Sequence, residues 1–211
     1  MYIPKLFAED RLDVLHQLIS ERPLAALVTL GEAGLTASHV PFLLDRGAGP
    51  FGTLRGHLAR ANPQWREVAS PVEALAIFSG PQRYISPSWY ASRSAHGKVV
   101  PTWNYVVVHA YGRLRTVDDP ARLLPHLKEL TRTHEAAIEL PWSVEEAPQD
   151  YISSLLEAIV GIEIEISRLE GKWKVSQNRV AADRQGVSAA LRAQGDPDAL
   201  AIAHLIDSLG S

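Results

Sequence analysis

The chain has 211 residues, of which 46% are hydrophobic and 21% are charged, and this composition predicts a globular protein with one main core. The formal net charge of −3 at pH 7 argues against a strongly basic nucleic-acid-binding protein, although it leaves room for a local basic patch. The absence of cysteine excludes disulfides, thiolate metal sites and cysteine nucleophiles.

The beginning of the chain and its apolar runs bear on where the protein works. Residues 1–13, MYIPKLFAEDRLD, contain neither the cationic start nor the apolar run of a signal peptide. No stretch reaches the ~20 consecutive apolar residues that crossing a bilayer requires. We therefore expect a soluble protein of the cytoplasm.

Hydrophobic patterns in the first half of the chain predict one helix followed by antiparallel strands. Leu12, Leu15 and Leu18 recur on one face of the helix, and the turn residues GEAG separate the first two strands. Asn62 is suited to cap a short helix whose first position is Pro63. The predicted elements are a helix over 8–21 and strands over 23–30, 35–44, 52–59 and 72–80.

The second half of the chain predicts a long strand, helices and a hairpin. In the hairpin Ile162, Ile164 and Ile166 alternate with polar residues, as expected for a strand with one buried face. Asp196 and Pro197 open the last helix. The predicted elements are a strand over 104–117, helices over 121–133 and 149–160, a hairpin over 161–179 and two helical stretches after 181.

These patterns add up to six or seven strands, mostly in hairpin order and interrupted by helices. Such an arrangement favours a small Greek-key or open β-barrel with packed helices over a parallel doubly wound sheet. An open barrel has exposed edges, and a partner subunit commonly covers such edges. We therefore expect a homodimer.

The segment GHLARANPQW, residues 56–65, combines a glycine, cations and a predicted helix N-terminus. His57 and Arg60 lie immediately before the capping residue Asn62, and the free peptide N–H groups of a helix start attract anions. The segment is a candidate phosphate site. A surface turn with a capped helix explains the same residues.

A second candidate lies in the aromatic stretch over 84–112, which holds two of the five tryptophans and four of the six tyrosines. Large amphipathic rings suit a flat ligand that is hydrogen-bonded at its edge. In GPQRYISPSWY the flat side chains are those of Tyr84, Trp89 and Tyr90, and Arg83 and Ser86 are possible donors. Packing beneath a loop accounts for these rings equally well.

The segment VPTWNY carries a polar pair on an otherwise apolar strand face. Thr102 and Asn104 share a face with Val106 and Val108, whereas Trp103 points the other way. A buried amide without a partner costs ~1–3 kcal/mol, so Asn104 must find one. A ligand with carbonyl and N–H edges or an adjacent loop would serve.

The remaining polar features are weaker. The segment KWKVSQNR ends the last predicted strand, and its Arg179 could pair with a phosphate or with an acidic neighbour. The eight histidines show no metal-binding spacing, so we expect no metal site. His126, His16, His134 and His204 lie in helical stretches and are interpreted as structural.

At these segments the sequence resembles the PaiB-type family of FMN-binding negative transcriptional regulators. The resemblance covers residues 1–180, in the family's order. The segments that carry it are MYIPKLFAED, SHVPFLL, GHLARANPQW, FSGPQRYISPSWY, KVVPTWNYVVVHAYGRLR and GIEIEISRLEGKWKVSQNR.

The resemblance implies a mainly β fold with helices, of the α+β class. This fold is a split β-barrel similar to pyridoxamine-phosphate oxidases, which acts as a dimer with FMN at the subunit interface. His57, Arg60 and Asn62 would bind the FMN phosphate. The residues implied around the flavin are Tyr84, Ser86, Trp89, Tyr90, Trp103 and Asn104, with Gln177 and Arg179 approaching from the other subunit.

The same resemblance sets the expected domain organisation. Residues 1–180 are predicted to form the FMN-binding split barrel, and residues 181–211 a helical extension packed on the barrel or the dimer. The helical extension has a poor balance of charge for a DNA-recognition helix, because aspartates accompany its arginines. We therefore expect any regulatory effect on transcription to be indirect.

Two other functions stay open at this point. One is an FMN-dependent oxidoreductase that acts on a small substrate with a nicotinamide donor, for which no catalytic residue can be assigned. The other is haem binding, with His57, His96 or His109 as the axial ligand.

Overall fold

The computed structural model describes residues 1–69 and 72–210. Residues 70, 71 and 211 lie outside the described residues, and with them the end of the segment predicted as a short helix and the last residue of the predicted extension. The strands of the described part are β1 (Ala8–Glu9), β2 (Leu24–Gly31), β3 (Gly34–Pro41), β4 (Leu43–Asp45), β5 (Thr53–Ala59), β6 (Ala74–Ile85), β7 (Thr102–Val117) and β8 (Ile159–Lys174). The α-helices of the described part are α1 (Leu12–Glu21), α2 (Ser92–His96), α3 (Pro120–Glu135), α4 (Gln149–Glu157), α5 (Ala181–Gln194) and α6 (Pro197–Asp207).

The strands form an antiparallel sheet in the order β3-β2-β6-β7-β8-β5-β4, with β1 paired to β8. Long strands arise where apolar and polar residues alternate. Ile162, Ile164 and Ile166 of β8 are all buried, and the residues between them face outwards. None of the helices in the described part of the chain is long and apolar enough to cross a membrane.

The chain divides into two compact units. The first unit comprises Met1–Leu18, Ser79–His109 and Glu170–Ser211, and the second comprises Ile19–Phe78 and Ala110–Leu169. Strands β6, β7 and β8 each contribute a part to both units. The domain boundary at residue 180 stays a prediction.

The second unit is built on paired strands with an alternating pattern of burial. In β2 the buried Ala25 and Leu27 alternate with more exposed residues, and β2 pairs with β3 along its whole length. Phe42 packs against Phe78 with the ring centroids 6.2 Å apart. Helices α3 and α4 bury a separate apolar cluster that includes Leu123 and Leu156.

The first unit contains the C-terminal helices. Helix α5 packs on α6 through buried apolar residues that include Val187, Leu191 and Ile202. Asp196 caps α6 by accepting a hydrogen bond of 3.1 Å from the backbone N–H of Ala199. The two helices predicted after residue 181 are confirmed.

The hairpin predicted over 161–179 is wrong, because β8 is one continuous strand of 16 residues. Gly171, within the predicted hairpin, is paired with Glu9 of β1. A Cβ atom at residue 171 would lie 2.3 Å from Cδ2 of Leu15. The glycine therefore allows α1 to approach the strand, and the same pairing explains why α1 begins at Leu12 instead of residue 8.

Candidate functional site

The predicted phosphate segment lies at the end of β5 and in the 3₁₀ helix Pro63–Ala69. Asn62 caps this helix as predicted, since its Oδ1 accepts a hydrogen bond of 3.0 Å from the backbone N–H of Gln64. Its Nδ2 donates to Oγ of Ser38 at 2.9 Å. Both polar atoms of the Asn62 amide thus have partners within the second unit.

Arg60 makes a dense set of internal contacts. Its Nη1 and Nη2 donate to the two carboxylate oxygens of Asp118, at 3.0 and 2.6 Å. Its Nε donates to the carbonyl of Glu157 at 2.7 Å, and Nη2 also donates to the carbonyl of Ile159 at 3.0 Å. The hydrogen bond from Arg60 lowers the pKa of the Asp118 carboxyl group. A phosphate at Arg60 would therefore have to displace Asp118.

His57 faces a second histidine, His126 of α3. The rings meet edge to face, and Nδ1 of His57 lies 3.4 Å from Nε2 of His126. Burial lowers the pKa of His57. Burial, His57 and Arg55 together lower the pKa of His126 to about 4, so both rings are neutral at pH 7.

His126 also lines a pocket of about 670 Å³ in the second unit. Its lining includes Leu43, Arg55, Arg122, His126, Glu129 and Glu163. The guanidinium group of Arg55 is 3.0 Å from Asp45 and 3.4 Å from Glu163. Arg122 also pairs with Glu163, at 2.9 Å, so these cations are already compensated.

In the first unit, Asn104 of β7 is buried, with 1% of its surface exposed. Its Nδ2 donates a hydrogen bond of 2.9 Å to Oγ of Ser176, in the turn that follows β8. Its Oδ1 is buried and accepts no hydrogen bond from the described residues. The turn after β8 therefore satisfies the Nδ2 donor of Asn104, and the Oδ1 acceptor has no donor among the described residues.

Two large rings of the same unit are exposed and contact each other. Trp103 precedes Asn104 in β7, and Tyr84 lies near the end of β6. The ring centroids of Tyr84 and Trp103 are 6.1 Å apart, and the two rings meet edge to face. The exposed fractions are 46% for Tyr84 and 52% for Trp103, which is high for apolar side chains of this size. The pair presents two exposed aromatic rings whose planes lie at 73° to each other.

The other predicted flavin contacts of the first unit have clear local roles. Oγ of Ser86 accepts from the backbone N–H of Ser88 at 3.2 Å and so caps the 3₁₀ turn Pro87–Trp89. The carbonyl of Trp89 lies against α5, where a Cβ atom at Gly186 would be 2.2 Å away. Tyr90 is buried beneath Arg179, whose guanidinium carbon is 4.6 Å from the ring centre.

Gln177 closes the turn after β8 with both ends of its side-chain amide. Its Oε1 accepts from the backbone N–H of Val175 at 2.8 Å, and its Nε2 donates to the carbonyl of Trp173 at 2.5 Å. The turn therefore holds Ser176 and Arg179 in place.

The predicted site residues are thus divided between the two units. His57, Arg60 and Asn62 lie along one stretch of the second unit. The first unit contains Tyr84, Ser86, Trp89, Tyr90, Trp103, Asn104, Gln177 and Arg179, and direct contacts join Tyr84 to Trp103 and Tyr90 to Arg179.

Sequence reasoning missed three kinds of contact. Ser176 is the partner of Asn104, but a single serine in a turn carries no signal. His126 is 69 residues from His57 and was interpreted as structural. Lys172 and Lys174 had no predicted role, although their spacing of two in a strand places both side chains on one face of β8.

The described residues include few side chains that are placed to bind a metal ion or haem iron. In the ranges that the structure describes, no group of three or more His, Asp or Glu side chains is arranged to hold a metal ion. Of the predicted haem ligands, His57 faces His126, and Nδ1 of His96 accepts from the backbone N–H of Lys98 at 3.0 Å. Haem binding stays a prediction.

Solved structures with a similar fold define the class of protein. The flavocytochrome Anf3 from Azotobacter vinelandii matches with a TM-score of 0.56 and 13% identity, over 82% of this chain and 72% of that one. The FAD and heme binding protein from Mycobacterium smegmatis matches with a TM-score of 0.55 and 15% identity, over 85% and 78% of the two chains. The predicted fold class, a split β-barrel with C-terminal helices, is confirmed.

Sequence comparisons give the family within this class. The model of the family described as "Putative FMN-binding domain" matches residues 1–168. The protease synthase and sporulation protein PAI 2 of Bacillus subtilis is 30% identical over 207 residues, which cover 98% of this chain and 97% of that protein. An uncharacterized protein of Emericella nidulans is 35% identical over 245 residues, covering 100% and 98% of the two chains. The chain belongs to the PaiB-type family of FMN-binding proteins, and its cofactor is FMN.

Proposed function

We propose that this protein is a flavin-dependent regulator of the PaiB type, which binds FMN in a homodimer in the cytoplasm and acts on transcription without reading DNA itself. The observation that carries the proposal is the buried Asn104, whose Oδ1 has no donor within the described residues. That amide lies next in the chain to Trp103, whose exposed ring contacts the exposed ring of Tyr84.

The chemistry of the flavin matches this arrangement. Isoalloxazine is a flat heteroaromatic ring system with an apolar dimethyl end and a polar pyrimidine end that carries an N–H donor. An N–H group directed at Oδ1 of Asn104 would remove an unsatisfied buried acceptor, which is worth about 1–3 kcal/mol. Because neighbouring residues of a strand point to opposite faces, Trp103 and its contact Tyr84 would meet a different part of the cofactor from Asn104.

The other proposed contacts of the first unit follow from the same placement. Tyr90 and Arg179, which stack on each other, and Ser86, Trp89 and Gln177 would surround the flavin. In a homodimer, Gln177 and Arg179 would come from the partner subunit, as the family resemblance implies. The proposed phosphate contacts are His57, Arg60 and Asn62.

Regulation without direct DNA contact is supported by the charges of the C-terminal helices. Arg192 pairs with Asp207 at 2.5 Å, and Arg83 pairs with Asp196 at the start of α6. Nη1 of Arg184 donates to the carbonyl of Arg179 at 2.8 Å. Sequence-specific binding requires several free cations on one face, and these arginines are engaged within the first unit.

The variant Asn104→Leu tests the flavin site, since leucine has a similar volume and no polar atom. We expect the affinity for FMN to fall about tenfold or more, which corresponds to ~1.4 kcal/mol. Asn178→Ala, an exposed asparagine in the turn after β8, is the matched control and should leave the affinity unchanged. Equal affinities of wild type and Asn104→Leu, measured by quenching of flavin fluorescence, would contradict the assignment.

The regulatory part needs its own experiment. We expect a strain that lacks the gene to recover normal transcript levels with the wild-type protein and not with Asn104→Leu. Recovery with both would show that regulation does not require the flavin. A low-salt gel shift with a random DNA library that reveals tight, sequence-selective binding would overturn the claim of indirect action.

An FMN-dependent oxidoreductase is the second candidate. The exposed rings of Tyr84 and Trp103 favour it, because an aromatic ring that is open to solvent can stack on a second ring such as a nicotinamide. The test is oxidation of NADH or NADPH by the purified holoprotein. Oxidation at the same rate by the apoprotein would exclude a role for the flavin in that activity.

A further inference from the structure

A cluster of three cations lies in the first unit, at the end of β8 and in the turn that follows. Lys172 and Lys174 are two residues apart in the strand, and Arg179 is in the turn. Lys172 is largely buried, with 8% of its surface exposed, and the other two are half-buried. We call Lys172, Lys174 and Arg179 the cationic cluster.

The contacts of the cationic cluster are with neutral groups. Nζ of Lys172 donates to the carbonyl of Tyr2 at 3.1 Å and lies 5.3 Å from the ring centre of Tyr105. Nζ of Lys174 donates to Oγ1 of Thr102 and to the carbonyl of Trp103.

Arg179 completes the cationic cluster by stacking on the ring of Tyr90. Within the part of the chain that the structure describes, none of the three cations is paired with a carboxylate.

This lack of carboxylates is unusual for a chain with a net charge of −3. Elsewhere the structure pairs many of its cations with an acid, as in Arg11–Glu9, Arg55–Asp45, Arg60–Asp118, Arg122–Glu163, Lys128–Glu145 and Arg192–Asp207. Desolvation of a charge is costly unless an opposite charge compensates it. Burial lowers the pKa of Lys174, and the positive charges of Lys172 and Arg179 lower it further. An anion bound beside these cations would compensate their charge.

The surroundings of the cationic cluster narrow the class of anion. Two ammonium groups and one guanidinium offer many N–H donors in different directions, which suits the several oxygens of a phosphate better than a single carboxylate. Lys174 also contacts the backbone of Trp103, whose exposed ring offers a surface for a flat group. We propose that Lys172, Lys174 and Arg179 bind the phosphate of a ligand that also carries an aromatic ring system.

Two kinds of ligand carry both a phosphate and an aromatic ring system. One is FMN itself, through its 5′-phosphate; this source rests on the proposed flavin site, and the cationic cluster would then take the place of His57, Arg60 and Asn62 as the phosphate contact. The other is a second phosphorylated ligand, such as a nicotinamide dinucleotide bound beside the flavin. The cationic cluster requires a phosphate in either case, and the source is decided by experiment.

The first experiment uses inorganic pyrophosphate as the probe, with the apoprotein. A ligand that binds only the folded state raises the thermal midpoint with its concentration. We expect pyrophosphate to raise the midpoint of the wild type above that in sodium chloride of equal ionic strength. Lys174→Met should lose this increase, Lys174→Arg should keep it, and the control Lys128→Met should behave like the wild type. An equal increase in Lys174→Met and wild type would overturn the proposal.

The second experiment compares FMN, riboflavin and NADPH. Lys174→Met should weaken FMN about tenfold and leave riboflavin unchanged if the phosphate is that of the cofactor. It should weaken NADPH about tenfold and leave both flavins unchanged if the phosphate belongs to a second ligand. Unchanged affinity for all phosphorylated ligands would overturn the proposal. Failure of the wild type to bind riboflavin or FMN would count against the flavin site alone, because the pyrophosphate experiment does not involve it.

A loss of folding can be told apart from a loss of binding. Lys174→Met loses the hydrogen bonds to Thr102 and Trp103, so we expect the apoprotein of this variant to unfold at a somewhat lower temperature than the wild type. Its circular dichroism at 20 °C should match that of the wild type, and a pyrophosphate response that is absent from such a folded variant reports a loss of binding.

Discussion

Nδ2 of Asn104 donates a hydrogen bond of 2.9 Å to Oγ of Ser176, and this bond joins β7 to the turn after β8. Ser176 has a φ of 68°, and no other non-glycine residue in the described ranges has a positive φ. A left-handed conformation costs a residue with a Cβ atom roughly 1–2 kcal/mol. The turn is therefore held by side-chain contacts such as the one to Asn104, and backbone strain of this kind gathers at functional sites.

The contribution of Ser176 can be separated into strain and hydrogen bonding. Ser176→Ala keeps the strain and leaves the buried Nδ2 of Asn104 without an acceptor, so we expect it to unfold about 1–3 kcal/mol more easily than the wild type. Ser176→Gly loses the same acceptor and relieves the strain, so it should be more stable than Ser176→Ala by ~1 kcal/mol. Urea denaturation of the apoproteins measures both. Ser176→Ala as stable as the wild type would show that the hydrogen bond contributes nothing.

The sequence predicted the fold better than the site, for physical reasons. Strands were found where burial alternates, because Ile162, Ile164 and Ile166 leave a pattern that depends only on neighbours in the chain. The hairpin over 161–179 failed because Gly171 looks like a turn residue until α1 is seen to pack against it. The local sequence pattern cannot distinguish a glycine in a turn from a glycine that leaves space for a neighbouring helix.

The candidate site shows the same limit. The need of Asn104 for a partner could be predicted, since a polar residue on an apolar face must be hydrogen-bonded. The identity of its partner, Ser176, depends on how β8 ends, which no local pattern records. The partner of Arg60 could not be predicted either, because Asp118 is 58 residues away from Arg60 in the sequence.

The pairing of Arg60 with Asp118 makes a prediction about FMN that riboflavin can check. If the phosphate binds Arg60, Asp118 competes with it for the same guanidinium group. Asp118→Asn should therefore strengthen the binding of FMN and leave riboflavin unchanged, whereas Arg60→Ala should weaken FMN far more than riboflavin. Titration of each variant with both flavins gives the comparison. Equal changes for FMN and riboflavin would remove Arg60 from the phosphate site and leave it a structural residue.

Gly112 of β7 makes a prediction about the second unit. A Cβ atom at this position would lie 2.2 Å from the carbonyl oxygen of Glu165 in β8, so neighbouring backbone has to move. We expect Gly112→Ala to lower the free energy of unfolding by roughly 3 kcal/mol, at the upper end of the cost of overpacking. Gly47→Ala is the matched control, since its Cβ would be 3.7 Å from the nearest atom, Oδ1 of Asp45. A similar stability of the two variants in urea would contradict the close approach of β7 and β8.

The facing rings of His57 and His126 predict how stability depends on pH. The pKa of His126 is about 4 in the folded protein, against an ordinary value of 6.5, mainly because burial disfavours the charged ring. Between these two values the unfolded chain binds a proton that the folded chain does not bind. The free energy of unfolding therefore falls as the pH is lowered through this window. The proximity of His57 adds to the effect, because two imidazolium rings at 3.4 Å would repel each other.

The variant His126→Gln removes the titrating ring and keeps a polar side chain at the same place in α3. We expect the urea midpoint of the wild type to fall from about pH 7 to about pH 5, and that of His126→Gln to fall less steeply. His134→Gln, an exposed histidine of the same helix, should follow the wild type. Parallel curves for the wild type and His126→Gln would mean that this ring accepts a proton as readily in the folded protein as in the unfolded chain. The edge-to-face pair would then not be a buried neutral pair.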